Sequence, residues 1–465
     1  MSTWNIPRLV IAGTSSGVGK TTVMAGLCRA LKDRGLRIAV FKVGPDYLDP
    51  TYHAMAAGTA SHTLDGWMMG RQAVLNTFHR ATRNSDIALI EGVMGLFDGA
   101  SPVSEEGSTA EVAKWLQTPV LAVIDCSGMA RTVGAIAHGL ATFDPDLRLA
   151  GVLCNRIGSK GHLDILRRGS SNVPVFGGLP VAATLGFPER HLGLHAASHS
   201  GVKDDVLTEW GKRVAEWFDL DRIIEVASAA PALENTEDAN LGQQQSEAVC
   251  RIGIARDAAF HFYYEDNLRQ LQNLGAHLVP FSPIADVDLP DVDGLYLGGG
   301  YPELHADSLS ANQAMRERVR AFANAGRPIY AECGGLMYLT SAIRTLDGTS
   351  HPMVGLIPGE AVMKDRLQAL GYVEVETTGP SILGAAGLRF RGHQFRYSEL
   401  QDLAPEIDRV YRIQRRRTGD ALPEGYRNQC VVASYVHAHW ASNPMVAKGF
   451  VRSCAAAGRS SSCPP

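Results

Sequence analysis

Ten residues, Gly13-Thr14-Ser15-Ser16-Gly17-Val18-Gly19-Lys20-Thr21-Thr22, constrain the fold more than any other stretch of this chain. They follow the apolar run Leu9-Val10-Ile11-Ala12 and open a segment that reads as helix from Thr21 to Asp33. A strand, a glycine-rich turn and a helix in that order aim backbone N–H groups at an anion, aided by the positive end of the helix. Gly17 and Gly19 let the backbone curl. Lys20 is placed to neutralise β- and γ-phosphate charge, the Thr21 hydroxyl to coordinate Mg²⁺, and Thr22 to complete the phosphate-binding set. Thr14 stands where the usual pattern begins with glycine, so the loop is a variant.

Further apolar runs, Ile38–Phe41, Ile87–Ile90, Val120–Ile124 and Ala150–Leu153, alternate with amphipathic stretches. That alternation predicts a doubly wound parallel sheet with helices on both faces. A chain of 465 residues is too long for one core, and two α/β domains are expected. The first covers residues 1–226. A polar, small-residue stretch over 227–248 reads as a linker. Strand-like runs then restart, giving a second α/β domain over 249–454, with residues 455–465 read as a disordered tail.

Lys plus Arg total 44 against 48 for Asp plus Glu, and this net charge of −4 argues against a nucleic-acid partner. No apolar run approaches the roughly 20 residues of a membrane helix, and no secretory signal is read, so no membrane partner is expected and a cytoplasmic protein is. Eight cysteines without a CxxC pair suggest neither a disulfide scaffold nor a thiolate zinc site.

Asp46 and Glu91 each follow a predicted strand and emerge at the carboxyl edge of the sheet beside the loop, as metal partners would. Asn155, after another strand, is a candidate nucleobase contact. The loop and its surroundings resemble the dethiobiotin-synthetase-like branch of P-loop enzymes, whose loop reads GTxxGxGKT. That resemblance implies use of Mg-ATP to phosphorylate a substrate carboxylate. Partition-type ATPases carry a signature lysine where this chain has Ser15, which counts against a motor role.

In the second half, Pro328-Ile329-Tyr330-Ala331-Glu332-Cys333-Gly334-Gly335 reads as a buried strand, a nucleophile on a sharp turn, and a helix start that favours the thiolate. Gly299 and Gly300, after another strand, offer oxyanion donors. His437 is the expected base. His437 and His439 are read as pointing to opposite faces of a strand, one catalytic and one structural. LGGGYPELHA, AECGGLMYL, RGHQFRYS and SYVHAHWASNP resemble landmarks of class I glutamine amidotransferases. By that resemblance Cys333 is the nucleophile and His437 its partner. Most class I relatives carry Glu where His439 stands, so a Cys–His dyad is expected.

Together with GPDYLDP, EGVMGLFDG and GMAR, these segments resemble the cobyrinate-type amide synthases over nearly the whole chain. The resemblance implies ATP-dependent activation of carboxylates on a corrinoid, with ammonia from glutamine passing between domains to amidate the a and c acetates. Hydrogenobyrinic acid and nickel sirohydrochlorin are alternative substrates for the same chemistry. A regulatory P-loop ATPase with an inert second domain is the alternative of another class. Tyr47 and Leu48 are candidate contacts to the macrocycle, and Arg131, Arg391 and Arg396 to its carboxylates. The usual GHEFHYS element reads Gly392-His393-Gln394-Phe395-Arg396-Tyr397-Ser398 here.

Overall fold

The computed structural model describes residues 3–181, 204–234 and 248–458. The chain divides into two compact units, Met1–Asp238 and Ala239–Pro465.

In the first unit the seven predominantly apolar strands lie side by side and run parallel. Their order across the sheet is Ser61–Leu64, Ile38–Val43, Ile87–Glu91, Arg8–Gly13, Val120–Asp125, Leu149–Ile157 and Val175–Pro180. Helices cover the sheet as the buried strands require. Val23, Leu27 and Leu31 of the helix Lys20–Asp33 pack with Leu9, Ile11, Leu89 and Leu121 of the strands, and with Trp210 and Val214 of the helix Asp204–Trp217. The strand order puts Ile87–Glu91 between the strand that leads into the phosphate loop and the strand that leads to Asp46. The doubly wound expectation therefore holds.

In the second unit, five parallel strands come first: Ala276–Phe281, Cys250–Ala255, Gly294–Leu297, Ile329–Glu332 and Val431–Ser434. The sheet continues antiparallel through Ala421–Asn428, Asp408–Arg415, Ala369–Thr377, Arg389–Arg396 and His437–His439. Five parallel strands followed by an antiparallel extension make this the second α/β unit.

Composition misplaced the edges of these units. Residues 227 and 228, read as linker for their small side chains, finish the helix Leu220–Ser228, whose Leu220, Ile223 and Ala227 are buried. Leu233–Glu234 then pairs antiparallel with Thr3–Trp4. Residues 455–457, assigned to the tail, end the helix Pro444–Ala457. The remaining linker and tail residues, 235–247 and 459–465, lie outside the described residues.

Arg8 shows why the chain near residue 231 belongs to the first unit. Its guanidinium is fully buried and donates to Leu116 O at 2.7 Å, Ile6 O at 3.1 Å and Pro231 O. Burial pulls its pKa down to about 10. Arg8→Leu strands two buried carbonyls and is expected to destabilise this unit by about 3 kcal/mol, read as a lower urea-unfolding midpoint.

Candidate functional site

The phosphate loop takes the conformation its glycines permit. Gly17 and Gly19 have φ of 79° and 96°, in the left-handed region where a side chain is penalised. Gly19 is required a second time, because a Cβ there would lie 2.1 Å from Asn155 Nδ2. That amide donates to Val18 O at 2.8 Å, so Asn155 buttresses the loop backbone. Its neighbour Arg156 donates to Gly17 O at 3.0 Å and pairs with Asp125. Lys20 opens the helix and sends its ammonium back over the loop, to Ser15 O at 2.9 Å and Met94 O at 2.6 Å. Burial, then the charge of Lys42, lowers its pKa, against the pull of Glu91, Asp49 and Asp98.

Thr21 and Glu91 are brought together, with the Thr21 hydroxyl donating to Glu91 Oε1 at 2.9 Å. Glu91 is fully buried and held on both oxygens: Lys42 Nζ lies 3.0 Å from Oε1, and His53 Nε2 lies 2.5 Å from Oε2. Lys42 also pairs with Asp49 at 2.8 Å. Burial disfavours its charge, but Asp49 and Glu91 outweigh that and raise its pKa. For Asp49, burial pushes up while Lys42 and His53 pull down, and the net is a carboxylate below its ordinary range. Sequence reasoning missed Lys42, Asp49 and His53. The available signal was Lys42 itself, a charge inside the apolar strand Ile38–Val43 that has to find buried partners.

Asp46 also holds the backbone that follows it. Its Oδ1 accepts from Leu48 N at 2.7 Å and Asp49 N at 3.2 Å, at the start of the helix Asp49–Ala57. Burial, then the charge of Asp49, pushes its carboxyl up to about 7. Among the described residues no three His, Cys, Asp or Glu side chains form a ready-made metal cluster. The hard oxygens of Thr21 and Glu91 nevertheless suit Mg²⁺, which takes one or two protein ligands and completes its shell with phosphate and water. Of the proposed macrocycle contacts, Tyr47 is half-buried and Leu48 only 5% exposed, so Leu48 offers a ligand little surface. Arg131 is exposed at the start of the helix Thr132–Phe143.

In the second unit the strand Ile329–Glu332 ends at Cys333, which has φ 47° and ψ −99° and leads into the helix Gly334–Leu339. Such strain in a non-glycine residue is typical of a nucleophile held on a tight turn. Both following glycines are required sterically. A Cβ on Gly334 would lie 3.0 Å from Gly300 N, and one on Gly335 2.3 Å from Leu297 O. The Gly299–Gly300 segment therefore lies against the elbow, and a Cβ on Gly299 would meet His437 Cε1 at 2.5 Å. Cys333, Gly299, Gly300 and His437 thus lie together. Among the described residues the Gly300 amide has no acceptor, which leaves it available to an oxyanion.

His437 and His439 do not point to opposite faces. Residues two apart on a strand share a face, and the charges of both act on His393. His393 pairs with His437 across the sheet and stacks on it, with ring centroids 4.9 Å apart. Its Nδ1 meets Tyr264 OH at 3.1 Å. Burial pulls His437 down to about 3 and His439 to about 4, which leaves both imidazoles neutral. Glu332, also missed, lies beneath this strand: it accepts from Tyr330 OH at 2.8 Å, Tyr296 OH at 3.0 Å and Ala438 N at 3.1 Å. Arg396, read as a contact for a corrinoid carboxylate, lies instead in this site and stacks on Tyr435.

The helix start does not make Cys333 a resting thiolate. Burial, then the charge of Glu303, pushes its thiol up to about 12, and Arg396 only partly offsets them. A thiol raised above its unperturbed value is protonated at neutral pH, and its reactivity rises with pH towards that value. Alkylation of Cys333 by iodoacetamide in the free protein, followed by peptide mass spectrometry, is expected to speed up about tenfold per pH unit from 7 to 10 without a plateau.

The chain matches two family models: the CobQ/CobB/MinD/ParA nucleotide binding domain over residues 9–192, and the CobB/CobQ-like glutamine amidotransferase domain over residues 251–445. Curated relatives align along nearly the whole length. A cobyrinate a,c-diamide synthase of Leptospira interrogans serogroup Icterohaemorrhagiae serovar copenhageni is 52% identical over 97% of this chain and 98% of its own. Enzymes of the same name from Syntrophotalea carbinolica and Dehalococcoides mccartyi are 47% and 42% identical, each over 96% of this chain and 98% of their own.

Proposed function

The chain belongs to the cobyrinate a,c-diamide synthase family, and on that premise we propose that its first unit activates the a and c acetates of cobyrinate as acyl phosphates. It is a glutamine-dependent amide ligase of cobalamin biosynthesis. Two sites carry the reading: a phosphate loop in one unit, and a strained cysteine beside a histidine and the Gly300 amide in the other.

A carboxylate resists ammonia because the anion repels nucleophiles and its oxygen is a poor leaving group. Transfer of the terminal phosphoryl group of ATP converts it to a mixed anhydride that ammonia can attack. Lys20, now bound to the carbonyls of Ser15 and Met94, exchanges them for the β- and γ-phosphates. Thr21 and Glu91 are the residues that would hold Mg²⁺, whose contribution is to neutralise charge on the transferring phosphoryl. Lys42 and His53 hold the Glu91 carboxyl in position.

In the second unit the Cys333 sulfur attacks the glutamine side-chain amide and His437, neutral at rest, accepts the thiol proton. The amide oxygen turns towards Gly300 N. Breakdown of the tetrahedral adduct returns the proton to the leaving nitrogen as ammonia, and water releases glutamate from the thioester. Ammonia freed this way is the neutral nucleophile that bulk solution at pH 7 supplies poorly.

Cys333→Ser is expected to lower glutamine-dependent amidation at least a hundredfold, whereas ammonium salts at high pH still support synthesis. Lys20→Ala is expected to remove synthesis from both nitrogen sources. If Lys20→Ala instead spares synthesis from ammonium, the division of labour is wrong. Cobyrinate labelled with ¹⁸O in its carboxylates should deliver label to inorganic phosphate, with ADP as the nucleotide product. Label in AMP would reject the acyl phosphate.

A further inference from the structure

A histidine that takes a proton from a thiol has to be held in one orientation, and its surroundings have to tolerate the positive charge it gains. Two residues beyond His437, where an acid would steady such a base, stands His439, whose Nδ1 accepts from Ala441 N at 3.4 Å in its own turn. The acids that come near this strand are engaged elsewhere. Glu332 holds Tyr296, Tyr330 and the Ala438 amide, and Asp266 pairs with Arg269 at 3.2 Å. Glu424 holds Ser434 Oγ at 2.6 Å and Tyr435 N at 2.7 Å.

One ring lies flat against His437. His393 is its register partner across the antiparallel strands Arg389–Arg396 and His437–His439, with the ring centroids 4.9 Å apart and the planes only 17° from parallel. The two strands press together at this point, since a Cβ on Gly392 would lie 2.3 Å from His437 O. The strand Arg389–Arg396 is also paired on its other side, with Ala369–Thr377, so His393 cannot shift without breaking a ladder of hydrogen bonds. Tyr264, at the start of the helix Glu265–Asn273, places its OH 3.1 Å from His393 Nδ1 and fixes the rotation of the ring. Burial, then the charges of His437 and His439, holds the pKa of His393 well below its ordinary value, so this imidazole is neutral.

We propose that His393 is the positioning residue for the base of the second unit: its ring is the wall that keeps the His437 imidazole in plane, and it presents a π face to the imidazolium that His437 becomes on taking the Cys333 proton. The inference rests on the glutaminase reading and adds the group that steadies its base. The 4.9 Å separation is within the roughly 6 Å over which an aromatic face attracts a cation. No bond to His393 forms or breaks. The proton passes from Cys333 Sγ to His437 and on to the leaving ammonia, while Tyr264 keeps the wall still. A charge on His393 would repel the imidazolium, and burial prevents that charge.

The test measures kcat and KM for glutamine hydrolysis by the full chain, with amidation from ammonium salts as the control that does not use this base. His393→Leu, which fills similar space without a ring, should lower kcat at least about tenfold, keep KM within about twofold and leave amidation from ammonium unchanged. His393→Phe, which restores a flat ring, should bring kcat back to within about threefold of the wild type. Tyr264→Phe removes only the hydroxyl and should lower kcat about threefold at constant KM. A kcat for His393→Leu equal to that of the wild type, or an equal loss in the Leu and Phe variants, overturns the proposal. If neither His393 variant folds, Tyr264→Phe decides, and an unaltered kcat there overturns it. A wild type that hydrolyses no glutamine instead overturns the glutaminase reading itself.

Discussion

Glu91 has no contact with water, and a buried carboxylate is tolerable only when it is paired and hydrogen-bonded. Thr21, Lys42 and His53 meet that demand, and they arrive from three parts of the chain. The parallel sheet makes this possible, since Lys42 and Glu91 are register partners on adjacent strands and Ile11 flanks Glu91 on the other side. Satisfying one charge thus locks the phosphate loop, the loop carrying Asp46 and the loop carrying Met94 to a common sheet edge. That lock fixes the phosphate loop relative to the Glu91 carboxyl.

The second unit solves a related problem with close packing as well as charge. Cys333 and His437 sit where backbones approach closely: Gly299 against His437, Gly334 against Gly300, Gly335 against Leu297. Beneath them Glu332 joins the strand that ends at Cys333 to the strand that carries His437, through the Ala438 amide. Cys333 and His437 are therefore fixed to one layer. The resting thiol is protonated and the histidines are neutral, so the site waits for its substrate before separating charge.

Much of both sites was legible in the sequence, where a local pattern carries the chemistry. The phosphate loop, the cysteine elbow and the glycine run each declare themselves within ten residues, because the backbone conformation they need is available to few residue types. Composition failed at the unit boundaries: small residues such as Ala227 look like linker until a helix buries them. For Asn155 and Arg396 the residue types suggest a ligand contact but could not show their packing neighbours, Val18 and Tyr435, which come from distant segments.

The sequence by itself determined two α/β units, a nucleotide loop and a cysteine on a sharp strand-to-helix turn, since these follow from periodicity and from short motifs with one workable geometry. Only the tertiary structure decided which buried charges face each other. It paired Lys42 and His53 with Glu91, gave Asp46 the amides of Leu48 and Asp49, and gave His437 and His439 one face. Electrostatic and hydrogen-bond partners are chosen by distance in space, and strand order, which brings together residues dozens of positions apart, fixes that distance.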